Sequence, residues 1–568
     1  MESPTNSSSD SAAQREASAS LSHALRLHPL VARILARRGV TVADDARRFL
    51  SPRLTELSRP DAMADRDLAA ERIALAVKRR ERVVVYGDYD VDGITSATLL
   101  TRVLRRLGGD VTAQVASRFS GGYGLSDAAL DRVLAERPSL VITCDCGTSD
   151  HPRLERLRAA GVDAIVVDHH KVPDEPLPAL AFLNPHRPDC GFAYKHMASV
   201  GLAFSVAAAV RARLDATMDL RPLLDLVALG TIADVAPLDG DNRILTRAGL
   251  NRIADGDGCA GVRALMSEVK LRYRLTARDV SFSIAPLLNA PGRLGSAVPT
   301  MELLLTDDPA RAAVLARELA EANVRRREVS TTLIDAAMKQ VREIYGATLP
   351  PGIGLAGDGW HHGMGGIVAG RLVDRLGVAV AVVAMEGDEG VGSVRAPRGV
   401  KLFDAVTRCR SDLLVCGGHD GAAGLRIHRG RIDAFRAAFA DALHGSKPSV
   451  AADERYDTEL LEGDLAGDLA RDLGALEPTG EANPEPRVLL RNTRISDART
   501  VAESHVRLSL QVGRRSIPCF VRDGVSRRER GEIPMVGARV DVIGGVRPDP
   551  WNGAEAVQLE LASIRAVA

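Results

Sequence analysis

The stretch Val83-Val84-Val85-Tyr86-Gly87-Asp88-Tyr89-Asp90-Val91-Asp92-Gly93 decides the fold class. Three valines and a tyrosine in a row read as a strand buried on both faces, the kind found in parallel sheets. The strand stops at Gly87, and three carboxylates spaced two apart follow at once. Acids this close cannot all be buried unpaired; their repulsion calls for a cation or for solvent. The Asp-x-Asp-x-Asp-Gly opening matches a calcium-binding EF-hand loop. That loop needs a bidentate Glu at its twelfth position, and counting from Asp88 this chain has Leu99 there. A strand precedes it instead of a helix, so the EF-hand reading fails. Taken alone, the loop is better read as a solvated acidic turn.

Three further sites change that balance. Val141-Ile142-Thr143-Cys144-Asp145-Cys146-Gly147 places Asp145 at the end of another apolar strand. Ile165-Val166-Val167-Asp168-His169-His170 sets an acid and two imidazoles at the end of a third. Leu226-Val227-Ala228-Leu229-Gly230-Thr231-Ile232-Ala233-Asp234 ends an apolar run on a single acid, which by itself reads as a helix cap or a hydrogen-bonded core group. Ligands of open parallel sheets gather at the carboxyl ends of the strands. Acidic sites recurring there, one with paired His, read as a metal centre. Hard oxygen donors with some nitrogen and no thiolate set suit Mn²⁺ or Mg²⁺. There are enough donors for two ions about 3.5–4 Å apart, the arrangement that clamps attacking and leaving oxygens in phosphoryl displacement. Neither a Gly-x-x-x-x-Gly-Lys-Ser/Thr loop nor a Gly-x-Ser-x-Gly elbow occurs.

Around this centre the chain alternates apolar runs with Ala/Leu/Arg-rich stretches from about Leu68 to Leu250, the pattern of an α/β domain with a parallel sheet. Ala310 to Tyr345 has no Gly or Pro and reads as one long helix joining two lobes. A second, Gly-dense α/β unit follows, then an acidic, Pro-containing stretch. Short alternating runs from about Arg487 onward, such as Val506–Val512 and Val540–Ile543, suggest a small β-barrel. The expected division is a disordered tail at 1–20, a catalytic domain with a helical extension at 21–250, a helical connector at 251–345, a second α/β domain at 346–447, an acidic linker at 448–486 and a barrel at 487–568.

The 568 residues are too many for one ordinary domain, and 45% hydrophobic with 26% charged residues fits a folded globular protein. Formal net charge is zero, mild evidence against a nucleic-acid ligand unless charge is segregated. Seven irregularly spaced cysteines argue against a disulfide framework and read as reduced thiols. No apolar run approaches a membrane span and the Ser-rich start is no signal peptide, so a cytoplasmic protein away from membranes is expected, with a monomer as the default.

Asp168-His169-His170 with Asp88-Tyr89-Asp90-Val91-Asp92-Gly93 upstream resembles the DHH phosphoesterase superfamily. Leu229-Gly230-Thr231-Ile232-Ala233-Asp234-Val235-Ala236-Pro237-Leu238 and Asn289-Ala290-Pro291-Gly292-Arg293-Leu294-Gly295 resemble motifs of its RecJ family. Trp360-His361-His362-Gly363-Met364-Gly365-Gly366 and Gly417-Gly418-His419-Asp420-Gly421 are similar to the companion DHHA1 domain. Pro478 to Pro486 and Trp551-Asn552-Gly553 resemble the entry to, and a strand of, an OB-fold barrel. The likeness runs from about Leu25 to Arg565.

This resemblance implies that Asp90, Asp92, Asp145, His169 and Asp234 bind two catalytic Mn²⁺ or Mg²⁺ ions, with Asp88 beside or among the ligands and His170 orienting or polarising phosphate. It implies that Asn289, Arg293, Arg371, Ser393, Arg395, Gly417, Gly418 and His419 meet the substrate and its phosphates. The activity implied is 5′-to-3′ hydrolysis of single-stranded DNA to 5′-mononucleotides in repair and recombination, with a RecQ-type helicase and a single-strand-binding protein as partners. Gly121 stands where the family usually has Glu, Leu287 where Arg is frequent, and Thr479 and Ala482 replace Phe and Gly. An oligoribonuclease or small-nucleotide phosphodiesterase of the DHH superfamily, and a non-catalytic nucleic-acid-binding scaffold, remain open at this point.

Overall fold

The computed structural model describes residues 11–271, 274–446, 455–549, 552–553 and 555–567. They form two compact units: 290–296 with 318–452 in one, and the remaining chain in the other.

The first unit holds a five-stranded sheet in the order β2-β1-β3-β4-β5, with β1 at Arg82–Gly87, β2 at Asp110–Val115, β3 at Leu140–Cys144, β4 at Asp163–Val167 and β5 at Ala181–Leu183. Every pairing is parallel. Apolar runs buried on both faces demand helices above and below. Val84, Tyr86, Val141 and Val166 pack with Leu130, Leu154 and Leu157 from helices Asp127–Ala135 and His151–Ala159. The strand ends lie level: Gly87 faces Cys144, and Cys144 faces Val167. The ladder runs one rung further, through Asp88 N–H to Cys144 O (3.1 Å), Asp145 N–H to Val167 O (2.9 Å) and Asp168 N–H to Leu183 O (3.0 Å). Three acids remote in sequence are thereby set side by side at one edge of the sheet.

The second unit carries β6 (Gly352–Asp358), β7 (Ala379–Glu386), β8 (Glu389–Arg395), β9 (Val415–His419) and β10 (Ala422–His428) in the order β6-β7-β8-β10-β9. Only β6 and β7 run parallel. Phe435 and Phe439 stack on one face of this sheet, and Val368, Ala369 and Leu372 of helix Gly365–Leu376 cover the other. The long-helix expectation matches Pro309–Tyr345, a single helix of 37 residues.

The barrel consists of β11 (Thr458–Glu459), β12 (Arg487–Val501), β13 (His505–Val512), β14 (Arg515–Val521), β15 (Arg539–Pro548) and β16 (Val557–Ala566), ordered β11-β12-β13-β14-β16-β15. Pairing of β12 with β15 closes the ring, an OB-like five-stranded barrel with β11 attached to β12. Asn552 and Gly553 precede β16, while Trp551 lies outside the described residues.

Three boundary expectations need correction. Residues 12–20 are not a loose tail within the described part: helix Ala12–Leu25 opens with a capping box between Ser11 and Gln14. The N-terminal helices do not extend the sheet domain alone. Leu21, Leu30, Ile34 and Leu35 share an apolar cluster with Leu473, Val488, Val540 and Val542 of the barrel region. Residues 455–486 are not a simple linker, because three of their acids, Asp457, Asp464 and Asp472, are pinned by the N-terminal segment. Arg38 grips Asp457 through Nε (2.7 Å) and Nη2 (2.8 Å), both side chains fully buried. Arg33 pairs with Asp464 at 2.7 Å, and Asp472 accepts His28 N–H at 2.7 Å.

Candidate metal centre

At the carboxyl edge of the first sheet the chain turns into helix Val91–Arg106, with Asp90 as its N-cap accepting Gly93 N–H at 3.0 Å. Asp92, in the first turn, is buried and points at the start of helix Ser199–Arg213. Its two oxygens accept Ser199 N–H (2.8 Å) and Val200 N–H (3.0 Å). Asp145 follows β3 in the left-handed region at φ 60°, a conformation Asp tolerates at a cost and one that concentrates at functional sites. Its Oδ1 lies 3.3 Å from His169 Nε2 and accepts the Ser199 hydroxyl at 3.0 Å. Asp234 is the C-cap of helix Leu224–Ala233, and its Oδ2 is 3.7 Å from the same His169 nitrogen. It follows a helix, not a strand, so the cap reading describes its backbone correctly while its side chain faces the centre.

These donors fall into overlapping groups whose ligand atoms lie within 4.8 Å of one another: Asp88 with Asp90 and Asp145, Asp92 with His169 and Asp234, and Asp145 with both His169 and His170. Asp145 is common to two of the three. Among the described residues, two buried atoms here, Asp88 Oδ2 and His169 Nε2, have no hydrogen-bond partner. A buried polar atom without a partner is costly, and two of them facing a nest of carboxylates fit a pair of divalent cations.

The electrostatics agree. Burial, then the neighbouring Asp90, pushes the Asp92 carboxyl up to about 7. Burial, then Asp92 and Asp90, lifts Asp234 to about 9. Asp88 and Asp145 are driven well above the carboxylate range by burial and by Asp90. Without cations the cluster therefore holds protons at neutral pH. His169 is pressed down to about 4 by burial and by His170, leaving it neutral, the form that ligates metal.

Asp168 behaves differently from its neighbours. Burial alone would raise it, but it accepts Thr148 N–H (3.1 Å), His169 N–H (2.8 Å), His170 N–H (3.2 Å) and the His170 ring at Nδ1 (2.7 Å). These donors outweigh burial and hold the carboxyl below the usual range. Asp168 in turn outweighs the burial of His170 and, with Asp234 and Asp90, raises the imidazole to about 9. His170 Nδ1 is thus committed to Asp168, and the ring is a cation at neutral pH. That chemistry suits contact with a phosphoryl oxygen better than metal ligation. Tyr123 steadies it: the phenol donates to Asp145 O at 3.1 Å and lies 3.0 Å from His170 Nδ1. Asn184 donates to His170 O at 2.8 Å. Sequence reasoning missed Ser199, Tyr123 and Asn184 and gave Asp168 no role, although Asp168 opens the triplet that marks the site.

The remaining predicted residues lie elsewhere. Asn289 and Arg293 sit on helix Ala285–Leu294, where Arg293 Nη1 donates to Gly363 O at 3.3 Å. In the second unit Ser393 and Arg395 end β8, and Gly417, Gly418 and His419 end the exposed β9. Ser393 and Gly417 both pair with Gly424, which places them on one line across the sheet. A Cβ on Gly366 would stand 2.9 Å from Arg395 Nη2, so that guanidinium lies close against the first turn of helix Gly365–Leu376. Ser393 and Arg395 thus lie close to Gly365 and Gly366 at the start of that helix. Arg371 is exposed, further along the same helix.

Comparison with known proteins places these parts. Residues 82–231 match the DHH family N-terminal domain, 347–445 the DHHA1 domain and 456–563 the RecJ OB domain. A protein of Dickeya dadantii named single-stranded-DNA-specific exonuclease RecJ is 37% identical over 85% of this chain and 87% of its own length. The protein of the same name from Bacillus subtilis is 31% identical over 95% of this chain and 68% of its own. The crystal structure of RecJ from Thermus thermophilus in complex with Mn²⁺ superposes with a TM-score of 0.83 at 30% identity, covering 99% of this chain and 79% of that one. Fold and site together define a metal-dependent phosphoesterase of the DHH type. With its DHHA1 and OB domains matched as well, the chain belongs to the RecJ family.

Proposed function

We propose that this protein hydrolyses single-stranded DNA from the 5′ end, releasing 5′-mononucleotides, with two Mn²⁺ or Mg²⁺ ions held by Asp88, Asp90, Asp92, Asp145, His169 and Asp234. The observation that carries the reading is the convergence of these side chains, from four separate chain segments, into overlapping ligand groups around two unpartnered buried atoms. Relatives bearing the exonuclease name, and RecJ structures in complex with Mn²⁺ and with Mg²⁺, support the substrate and the metals. Divalent cations in such a nest polarise a phosphoryl oxygen and acidify a water.

The protein's own groups do the rest. Asp92 and Asp145 are locked by hydrogen bonds before substrate arrives, so little reorganisation accompanies reaction. His170, held cationic by Asp168, faces the negative charge that accumulates on the phosphoryl oxygens. In the second unit, Ser393, Arg395 and the amides of Gly365 and Gly366 grip a backbone phosphate, with Gly417, Gly418, His419 and Arg371 along the strand's path. Asn289 and Arg293 contact the strand, and the barrel tracks it as OB domains do. Polarity and action in repair and recombination rest on family membership. Partnership with a helicase and a single-strand-binding protein, and action as a cytoplasmic monomer, belong to the same proposal. Among the described residues no helix is long and apolar enough to cross a membrane.

End-resolved digestion tests this reading. A long single strand labelled at its 5′ end should release labelled mononucleotide at once in Mn²⁺, the 3′ label should appear late, and chelator should stop both. Faster turnover of a dinucleotide than of the long strand would instead favour a small-nucleotide phosphodiesterase.

A further inference from the structure

The first two residues of helix Ser199–Arg213 supply three donors to the metal centre. The amides of Ser199 and Val200 hold both oxygens of Asp92 at 2.8 and 3.0 Å, and the Ser199 hydroxyl holds Asp145 Oδ1 at 3.0 Å. Ser199, Asp92 and Asp145 are all buried, so none of these bonds is exchanged freely with water. The helix N-terminus favours negative charge in its own right. The two carboxylates do different work: Asp92 belongs to one ligand group, whereas Asp145 belongs to two and bridges them.

We infer that Ser199 is a positioning residue for the metal pair: its hydroxyl fixes the orientation of the shared ligand Asp145 relative to Asp92. The inference rests on the functional reading above. Asp145 needs such a restraint because its backbone sits at φ 60° directly after the strand, where the following chain turns away through Gly147 and gives the carboxylate no regular element to lean on. Its Oδ1 also lies near two imidazoles, His169 Nε2 at 3.3 Å and His170 Nδ1 at 3.9 Å, while its acidic neighbours Asp88 and Asp90 have no proton to give as carboxylates. His170 Nδ1 is turned to Asp168 at 2.7 Å and does not orient Asp145. The serine hydroxyl is thus the side-chain donor that ties Asp145 to the element holding Asp92. Hydrogen bonds behind a metal ligand set its orientation and basicity, and their removal costs metal affinity or activity about 10–100-fold.

The substitution Ser199→Ala isolates the hydroxyl, since both backbone amides on Asp92 remain and alanine is at least as good a helix former. Full-length protein is titrated with Mn²⁺ by calorimetry and by Mn²⁺ electron paramagnetic resonance, without DNA. The wild type should bind two ions. Ser199→Ala should bind at least one of them about 10-fold or more weakly, with metal-free Tm unchanged, and its kcat should fall while KM for the strand stays put. Ser199→Thr keeps the hydroxyl and should recover most of the lost Mn²⁺ affinity provided its metal-free Tm equals that of the wild type. If Ser199→Ala binds both ions as the wild type does, or if a properly folded Ser199→Thr is as impaired as the alanine variant, the inference is overturned. A wild type that binds no Mn²⁺ would overturn the functional reading itself, which keeps the two failures apart.

Discussion

Replacing Asp234 by Asn should make the metal-free protein more stable at alkaline pH, although it removes a ligand. The Asp234 carboxyl is raised from 3.8 to about 9, chiefly by burial and then by Asp92 and Asp90. An unfolded chain releases this proton near pH 3.8, whereas the native protein keeps it until about pH 9. Between those limits the native state binds more protons, so stability falls as pH rises. At about 1.4 kcal/mol per pH unit, the cost reaches about 2 kcal/mol at pH 5 and about 6 kcal/mol at pH 8 as an upper figure. Neighbouring acids pass protons among themselves, which spreads this cost over the cluster. Asparagine has nearly the same shape and is neutral throughout. In chelator, thermal unfolding of Asp234→Asn should therefore lie near that of the wild type at pH 5 and several degrees above it at pH 8. Mn²⁺ should raise the wild-type Tm strongly at pH 8, where binding releases the protons, and the variant's Tm little. A metal-free variant no more stable than wild type at pH 8, or a gap that does not widen between pH 5 and pH 8, would refute the reasoning.

Other outcomes follow from the same geometry. A Cβ at position 230 would meet Thr95 Oγ1 at 2.4 Å and Asp92 Oδ1 at 2.8 Å, so Gly230→Ala should displace Asp92 and weaken Mn²⁺ binding about 10-fold or more, read by calorimetry. His170→Gln removes the cation but no metal ligand; kcat should drop about 100-fold or more while the Mn²⁺-induced rise in Tm persists. Arg243 stacks on Phe49 and donates to the carbonyls of Phe49, Leu476, Glu477 and Pro478, tying the sheet domain to the segment that enters the barrel. Arg243→Met should cost about 3 kcal/mol or more, lowering Tm by several degrees with Mn²⁺ affinity unchanged.

The sheet and its acids were legible because both signals are local. Valine runs mark strands, and the last residues of β1, β3 and β4 are each followed by an acid that the level register then brings beside its neighbours. Asp234 was legible as an acid ending an apolar run, but not as a helix C-cap, since the run Leu226–Ala233, apolar but for Thr231, has no period to separate helix from strand. What stayed hidden depends on contacts across long stretches of chain. Ser199 meets Asp92 from 107 positions away, and nothing in Met197-Ala198-Ser199-Val200-Gly201 marks it. The acids of 455–486 suggested a solvated linker because their partners Arg33 and Arg38 lie more than 400 positions upstream. The start of the chain is a different case: Ser11 with Gln14 three residues on is a readable cap signature, masked by the Ser-rich composition around it.

The central claim is that six side chains, Asp88, Asp90, Asp92, Asp145, His169 and Asp234, form a nest for two divalent ions. Crystals grown in Mn²⁺ and measured at the manganese absorption edge test it most directly. The account predicts two anomalous peaks about 3.5–4 Å apart, one bonded by Asp88 or Asp90 and the other by Asp92, His169 and Asp234, with Asp145 reaching both and His170 bonded to neither. No peak in this nest, or a single ion held by His170, would contradict it.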